Sequence, residues 1–170
     1  MTRRRSQARM LALQALCVRE ALDESFEQRL GEFLRDPQVL EELEIAPGDA
    51  DDVVRYAREL VLGVFERRAA LDEALQAAAT NWSLPRMPPV DRNTLRLGLF
   101  ELDRPDIPAA VAISEAVALA ARFGDRESPS FINGVLDALH RKARVSGTVE
   151  AKAPSDDAGD ARGEDRLGAV

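Results

Sequence analysis

Cysteine and histidine are nearly absent, since the 170 residues hold one of each, Cys17 and His140. A single thiol cannot build a disulfide framework, and one Cys with one His cannot form a zinc cluster within the chain. β-Branched residues are also scarce: Val, Ile and Thr together number 21 against 48 Ala and Leu. That balance disfavours strands and predicts an all-helical protein. No window approaches the roughly 18 uninterrupted apolar residues of a membrane span. Also missing are a phosphate-cradling glycine-rich loop and a nucleophile elbow, and nothing near His140 or Cys17 looks like a catalytic partner. Acidic side chains such as Asp72 and Glu73 are plentiful, yet no spacing singles out an acid/base pair from ordinary solvated helix faces. The expectation is a soluble cytoplasmic protein that is not an enzyme and takes no metal or cofactor.

What is present is unevenly placed charge. The formal net charge is −7, but residues 1–10 carry four arginines and no acid, so the other 160 residues carry −11. The stretch RRRSQARMLALQALCV, Arg3 to Val18, sets those arginines directly before an apolar run. A paired arginine followed by apolar residues and a Cys resembles a twin-arginine lipoprotein signal. Gln14 within the run, Leu16 before Cys17, and Arg19 with Glu20 immediately after it argue against that reading. A helix N-terminus already carries about half a positive charge, so Arg3, Arg4, Arg5 and Arg9 stand where acids would be favoured. Free amides, helix dipole and guanidinium groups together make a site for phosphates, which points to a polyanion. The plainer alternative is a solubilising arm with no ligand.

With 45% hydrophobic residues the chain can bury one ordinary core. Between Met10 and Val18 apolar side chains point in nearly every direction, which predicts a helix surrounded by others. Further helices are expected around Asp23 to Leu34, Gln38 to Leu43, and Val53 to Ala78, the last either one long helix or two nearly collinear ones with Gly63 as the weak point. Trp82 to Pro89, with Pro85, Pro88 and Pro89, reads as a connector dividing the fold into halves. Beyond it three helices are expected. The first starts near Val90 or Asp91. The second runs to Phe123 with Gly124 as a left-handed terminator, and the third opens at Ser128 as cap with Pro129 in its first turn. Residues 145–170 hold six acids, three bases and almost no large apolar side chains, so a disordered acidic tail is expected.

Three stretches read together, RRRSQARMLALQALCVRE, VDRNTLRLGLFELDRPDIPAAVAISEAVALAARFG and SPSFINGVLDALHRKA, resemble the NusB family of bacterial transcription antitermination factors. The similarity runs along nearly all of residues 3–142. It implies an all-α bundle of two three-helix subdomains, about 1–82 and 90–144, with some seven helices and a tail at 145–170. It also implies binding of single-stranded boxA-like RNA in ribosomal RNA leaders, jointly with the ribosomal protein NusE and within the RNA polymerase antitermination complex. Some family members pair through the surface that RNA would use, so the resemblance leaves both a monomer and a homodimer open. Carried over by position, Arg3, Arg4, Arg5 and Arg9 would contact RNA, and Phe131 would lie near it, either stacking on a base or serving as core. Cys17 stands where the family commonly has Tyr, Ser114 where it has Asn, and Phe100 where Tyr is frequent. Two other readings stay open. One is a protein-interaction module without RNA contact of its own. The other is the helical front domain of RNA cytosine methyltransferases, which would need a glycine-rich cofactor fingerprint that this sequence lacks.

Overall fold

The computed structural model describes residues 3–21, 26–79 and 82–150. Over these the chain forms seven α-helices, two short 3-10 turns and no strand. The helices are α1 (Arg3–Ala21), α2 (Phe26–Phe33), α3 (Pro37–Glu42), α4 (Ala50–Ala78), α5 (Pro89–Leu102), α6 (Ala109–Phe123) and α7 (Ser128–Glu150), with 3-10 turns at Pro47–Asp49 and Leu84–Arg86. Proline opens α3 and α5, where its missing N–H would have had no intrahelical partner. Among the described residues no helix is long and apolar enough to cross a membrane.

The all-round apolarity of α1 has the expected consequence. Ala8, Leu11, Ala12, Leu13, Ala15 and Leu16 are all buried, and α1 packs against both α4 and α5. Side-chain pairings fix the directions. Arg4 meets Asp52 at the start of α4 and Arg19 lies over Phe65 farther along it, so α1 and α4 run parallel. Arg9 meets Glu101 near the end of α5 while Glu20 meets Arg92 near its start, so α1 and α5 run antiparallel. One contiguous core joins these helices to α2, α6 and α7.

The long periodic stretch is a single 29-residue helix, α4, that passes through Gly63 without a break. Gly63 is there for space: a Cβ at this position would lie 2.2 Å from the tip of the Phe100 ring. In an open helix Gly→Ala would stabilise by about 1 kcal/mol. Here overpacking reverses the sign, and Gly63→Ala is expected to destabilise by about 1–3 kcal/mol in urea denaturation. Adding Phe100→Leu should recover most of that loss.

The proline connector is held by side chains, because its carbonyls lack helical partners. Arg92 Nη1 donates to the carbonyls of Leu84 (3.1 Å), Pro85 (3.1 Å) and Met87 (2.7 Å). Gln76 donates to the Trp82 carbonyl and accepts from the Leu84 amide. Glu20 accepts from both Arg92 and Arg96, and Arg96 also pairs with Asp72 on α4. Burial alone would raise the Glu20 carboxyl, but the two guanidinium groups outweigh it and hold it below the usual carboxylate range.

Three local expectations are corrected. Gly124 ends α6 with φ −95° and ψ −173°, an extended rather than left-handed conformation. Glycine is required because a Cβ there would come within 2.7 Å of Ser128 and 2.8 Å of the Ala120 carbonyl. Ser128 belongs to the helix it was expected to precede, and its hydroxyl turns back to accept from the Asp125 amide at 3.0 Å. Finally α7 continues to Glu150, past the boundary at 144/145, and the rest of the expected tail, 151–170, lies outside the described residues.

Candidate nucleic-acid interface

The arginines begin α1 itself, whose first turn contains no acid. Tertiary structure supplies the negative charge that the local sequence withholds. Arg3 Nη2 lies 3.4 Å from Glu44, and Arg4 reaches Asp49 at 2.6 Å and Asp52 at 2.9 Å. The Arg5 guanidinium lies over the Tyr56 ring, 4.2 Å from its centroid. The Arg3 and Arg4 side chains remain 73% and 51% exposed. Exposed ion pairs of this kind contribute roughly 0–1 kcal/mol, so an incoming phosphate can exchange for the carboxylates at little cost.

Arg9 does not join this face. It is wholly buried, with Nε donating to Glu101 Oε2 at 2.7 Å and Nη2 to Glu101 Oε1 at 2.8 Å, and Glu115 lies 3.5 Å from Nη1. Tyr56 Oη donates to the same Glu101 at 2.8 Å, and Ser6 donates to Glu115. Burial and the Glu101 carboxylate push the Tyr56 phenol up. The expectation that Arg9 contacts RNA is thus corrected, because its fork is saturated by carboxylates from α5 and α6 inside the core. Arg9 serves instead as the charged hub joining α1, α4, α5 and α6.

Phe131 lies elsewhere. It is partly buried, packs against the core and meets the Trp82 ring edge to face, with centroids 5.8 Å apart at 64°. It lines a cavity with Trp82, Met87, Pro88 and Asp91, at the start of α5. Asp91 and Glu101 are ten residues apart on α5, about 15 Å along its axis at 1.5 Å per residue. Phe131 and the Arg3–Arg5 cluster therefore lie toward opposite ends of the α1/α5 pair. The structure brings Arg3, Arg4 and Arg5 together and does not bring Phe131 to them.

The sequence did not single out Tyr56, which lies beneath Arg5, or Trp82 and Asp91, which line the cavity beside Phe131. Tyr56 and Trp82 are the chain's only Tyr and Trp, which was the available signal. Cys17, at the family's tyrosine position, lies between the two ends, and Asn93 Nδ2 donates to its sulfur at 3.8 Å. Burial pushes the Cys17 thiol up, so little thiolate is present near neutral pH. Alkylation by iodoacetamide is expected to be roughly tenfold slower in the native protein than in the urea-unfolded chain.

The comparisons with known proteins are consistent over most of the chain. The NusB family model matches residues 6–141, a span that begins just after Arg3, Arg4 and Arg5. The transcription antitermination protein NusB of Sorangium cellulosum is 47% identical over 136 residues, 79% of this chain and 90% of that protein. Its counterpart in Anaeromyxobacter dehalogenans is 43% identical over 137 residues, 81% of this chain and 90% of that protein. A crystal structure of antitermination factors NusB and NusE in complex with double-stranded RNA matches with TM-score 0.66 and 28% identity, covering 84% of this chain and 99% of that one. The solution structure of NusB from Aquifex aeolicus gives TM-score 0.67 and 27% identity over 92% and 97% of the two chains. With a seven-helix fold and a family match that spans all but the two ends, the chain belongs to the NusB family.

Proposed function

We propose that the protein is a transcription antitermination factor that binds boxA-type RNA of ribosomal RNA leaders together with the NusE ribosomal protein, acting on elongating RNA polymerase. The observation that carries the RNA contact is the cluster on the first turn of α1, with Arg3 and Arg4 held at the surface by exchangeable carboxylates and Arg5 over the Tyr56 ring. A net positive balance is local to that end, while a body of net −11 offers a surface for a basic ribosomal protein. The test is a titration of boxA-type and scrambled single-stranded RNA, with and without NusE. Preference for boxA that appears or sharpens when NusE is present supports joint recognition; equal affinity for the two RNAs in the ternary mixture contradicts it.

A second reading has a specific observation behind it. Glu44, Asp49 and Asp52 already answer the charge of Arg3 and Arg4, so a protein-interaction module without RNA contact of its own fits the same geometry. Capture of NusE with no RNA affinity, alone or in the complex, would favour that module.

A further inference from the structure

Residues 151–170 lie beyond the 6–141 span of the family match, and their sequence sets five acids, Asp156, Asp157, Asp160, Glu164 and Asp165, against three bases. The fold determines where this stretch begins. Helices α6 and α7 pack against each other across the short turn at 124–127, so α7 returns along α6 toward the start of that helix. The first half of α6 lies at the arginine end of the molecule, because its Glu115 meets Ser6 and Arg9 of α1. A second set of contacts agrees. Leu139, Lys142 and Ala143 of α7 line a cavity with Leu102 and Asp103, where α5 ends. The adjoining Arg104 lies 5.9 Å from the centroid of the Tyr56 ring that Arg5 covers at 4.2 Å. The chain after Glu150 therefore departs from the end of the fold where Arg3, Arg4 and Arg5 stand. At that end an open cleft of about 570 Å³ is lined by three arginines, Arg4, Arg5 and Arg55, against two acids, Asp52 and Glu59.

We propose that the acidic stretch 156–165 of the same chain docks on this arginine face in the RNA-free protein and competes with RNA for Arg3, Arg4 and Arg5. The proposal rests on the RNA-binding reading above and adds a regulation of the same site. Charge complementarity favours this occupant, since between Asp156 and Asp165 five acids meet only one base, Arg162. Reach allows it. The ten residues from Glu150 to Asp160 can span up to about 33–36 Å. The α7 overhang from Ala143 to Glu150 adds only about 10 Å at 1.5 Å per residue, and Arg5 stands one turn from Arg9. The carboxylates that already meet Arg3 and Arg4 are exposed or half-exposed, and such pairs are weak, so incoming carboxylates exchange with them as readily as phosphates do. Attachment to the same chain keeps the local concentration of these acids high, so weak pairs suffice. Arg141, Lys142 and Arg144 are nearer in sequence, but Arg141 is already met by Asp137 one turn back on α7.

The experiment compares the full chain with a variant of equal length that carries Asp156→Asn, Asp157→Asn, Asp160→Asn, Glu164→Gln and Asp165→Asn. Without RNA, the backbone amide NMR signals of residues 3–6 are expected to differ between the two proteins. Unchanged signals there, or changes confined to residues 141–144, would overturn the docking. Titration with labelled boxA-type single-stranded RNA should show the variant binding roughly fivefold tighter at about 50 mM salt and less than about twofold tighter at about 300 mM. The slope of log affinity against log salt is then the shallower for the unaltered chain. Equal affinities at low salt would overturn the competition. So would a gain that persists once Arg3, Arg4 and Arg5 are all replaced by Ala, since general repulsion of RNA would then explain it. A gain that fades on dilution of the protein would place the acids on a second copy and overturn the internal contact. Absence of RNA binding by both proteins, with NusE present, would remove the RNA-binding reading and the competition with it, while the amide signals still decide the docking.

Discussion

Glu101→Ala is expected to destabilise the fold by about 3–5 kcal/mol, a drop in Tm on the order of 10–20 °C for a domain of this size. The reason is what the substitution leaves behind. Arg9 is wholly buried, and without Glu101 its guanidinium loses the two short carboxylate contacts at 2.7 and 2.8 Å, while Glu115 stands farther off at 3.5 Å. Tyr56 loses its acceptor in the same step. The pair as a whole contributes much less than the damage done by breaking it, because desolvating both charges offsets much of their attraction. The double replacement of Arg9 by Met and Glu101 by Leu is therefore expected to recover most of the loss, and thermal unfolding of the single and double variants measures both. Tyr56→Phe, which removes one hydroxyl and leaves the ion pair whole, should cost only about 1–2 kcal/mol.

Replacing Arg3, Arg4 and Arg5 together by Ala is expected to weaken RNA binding by one to two orders of magnitude at low salt, with little change in stability. Arg3 and Arg4 are exposed and their partners are exposed or half-exposed, so the fold loses only weak surface pairs. The RNA loses the only arginines of the N-terminal stretch that remain at the surface. Arg9→Met gives the opposite pattern: a less stable protein whose folded fraction binds RNA with unchanged salt sensitivity. Anisotropy of labelled RNA, set beside circular dichroism melts of the same variants, separates the two outcomes.

The contrast between Arg9 and its three neighbours shows what the sequence could carry. The burial of α1 was legible because Met10 to Val18 is apolar around the whole wheel, and the proline connector was legible because proline punctuates helices locally. Arg9 was assigned by proximity in the chain to a cluster it does not join in space. Its partner Glu101 is 92 residues away, and periodicity says nothing about which distant acid a guanidinium will meet. The flanking Ala8, Leu11 and Ala12 hinted that position 9 lay inside the buried stretch. The same limit applies to Gly124, whose smallness answers the approach of Ser128 and the Ala120 carbonyl rather than a backbone angle. It applies again to Asp91, one acid among 30, set apart by a buried Oδ1 that has no hydrogen-bond partner among the described residues. Phe131 could be matched to a motif, but that it faces Trp82 is a product of packing between α7 and the connector.

The central claim is that three surface arginines, and not four, supply the electrostatic grip on RNA. It is tested most directly by the salt dependence of RNA affinity for the wild-type chain. With about 0.7 counterions released per phosphate contact on single strands, the three predict a slope of log affinity against log salt near −2. The slope should fall toward zero when Arg3, Arg4 and Arg5 are removed together. A slope near zero in the wild type, or one unchanged in the triple variant, would contradict the account.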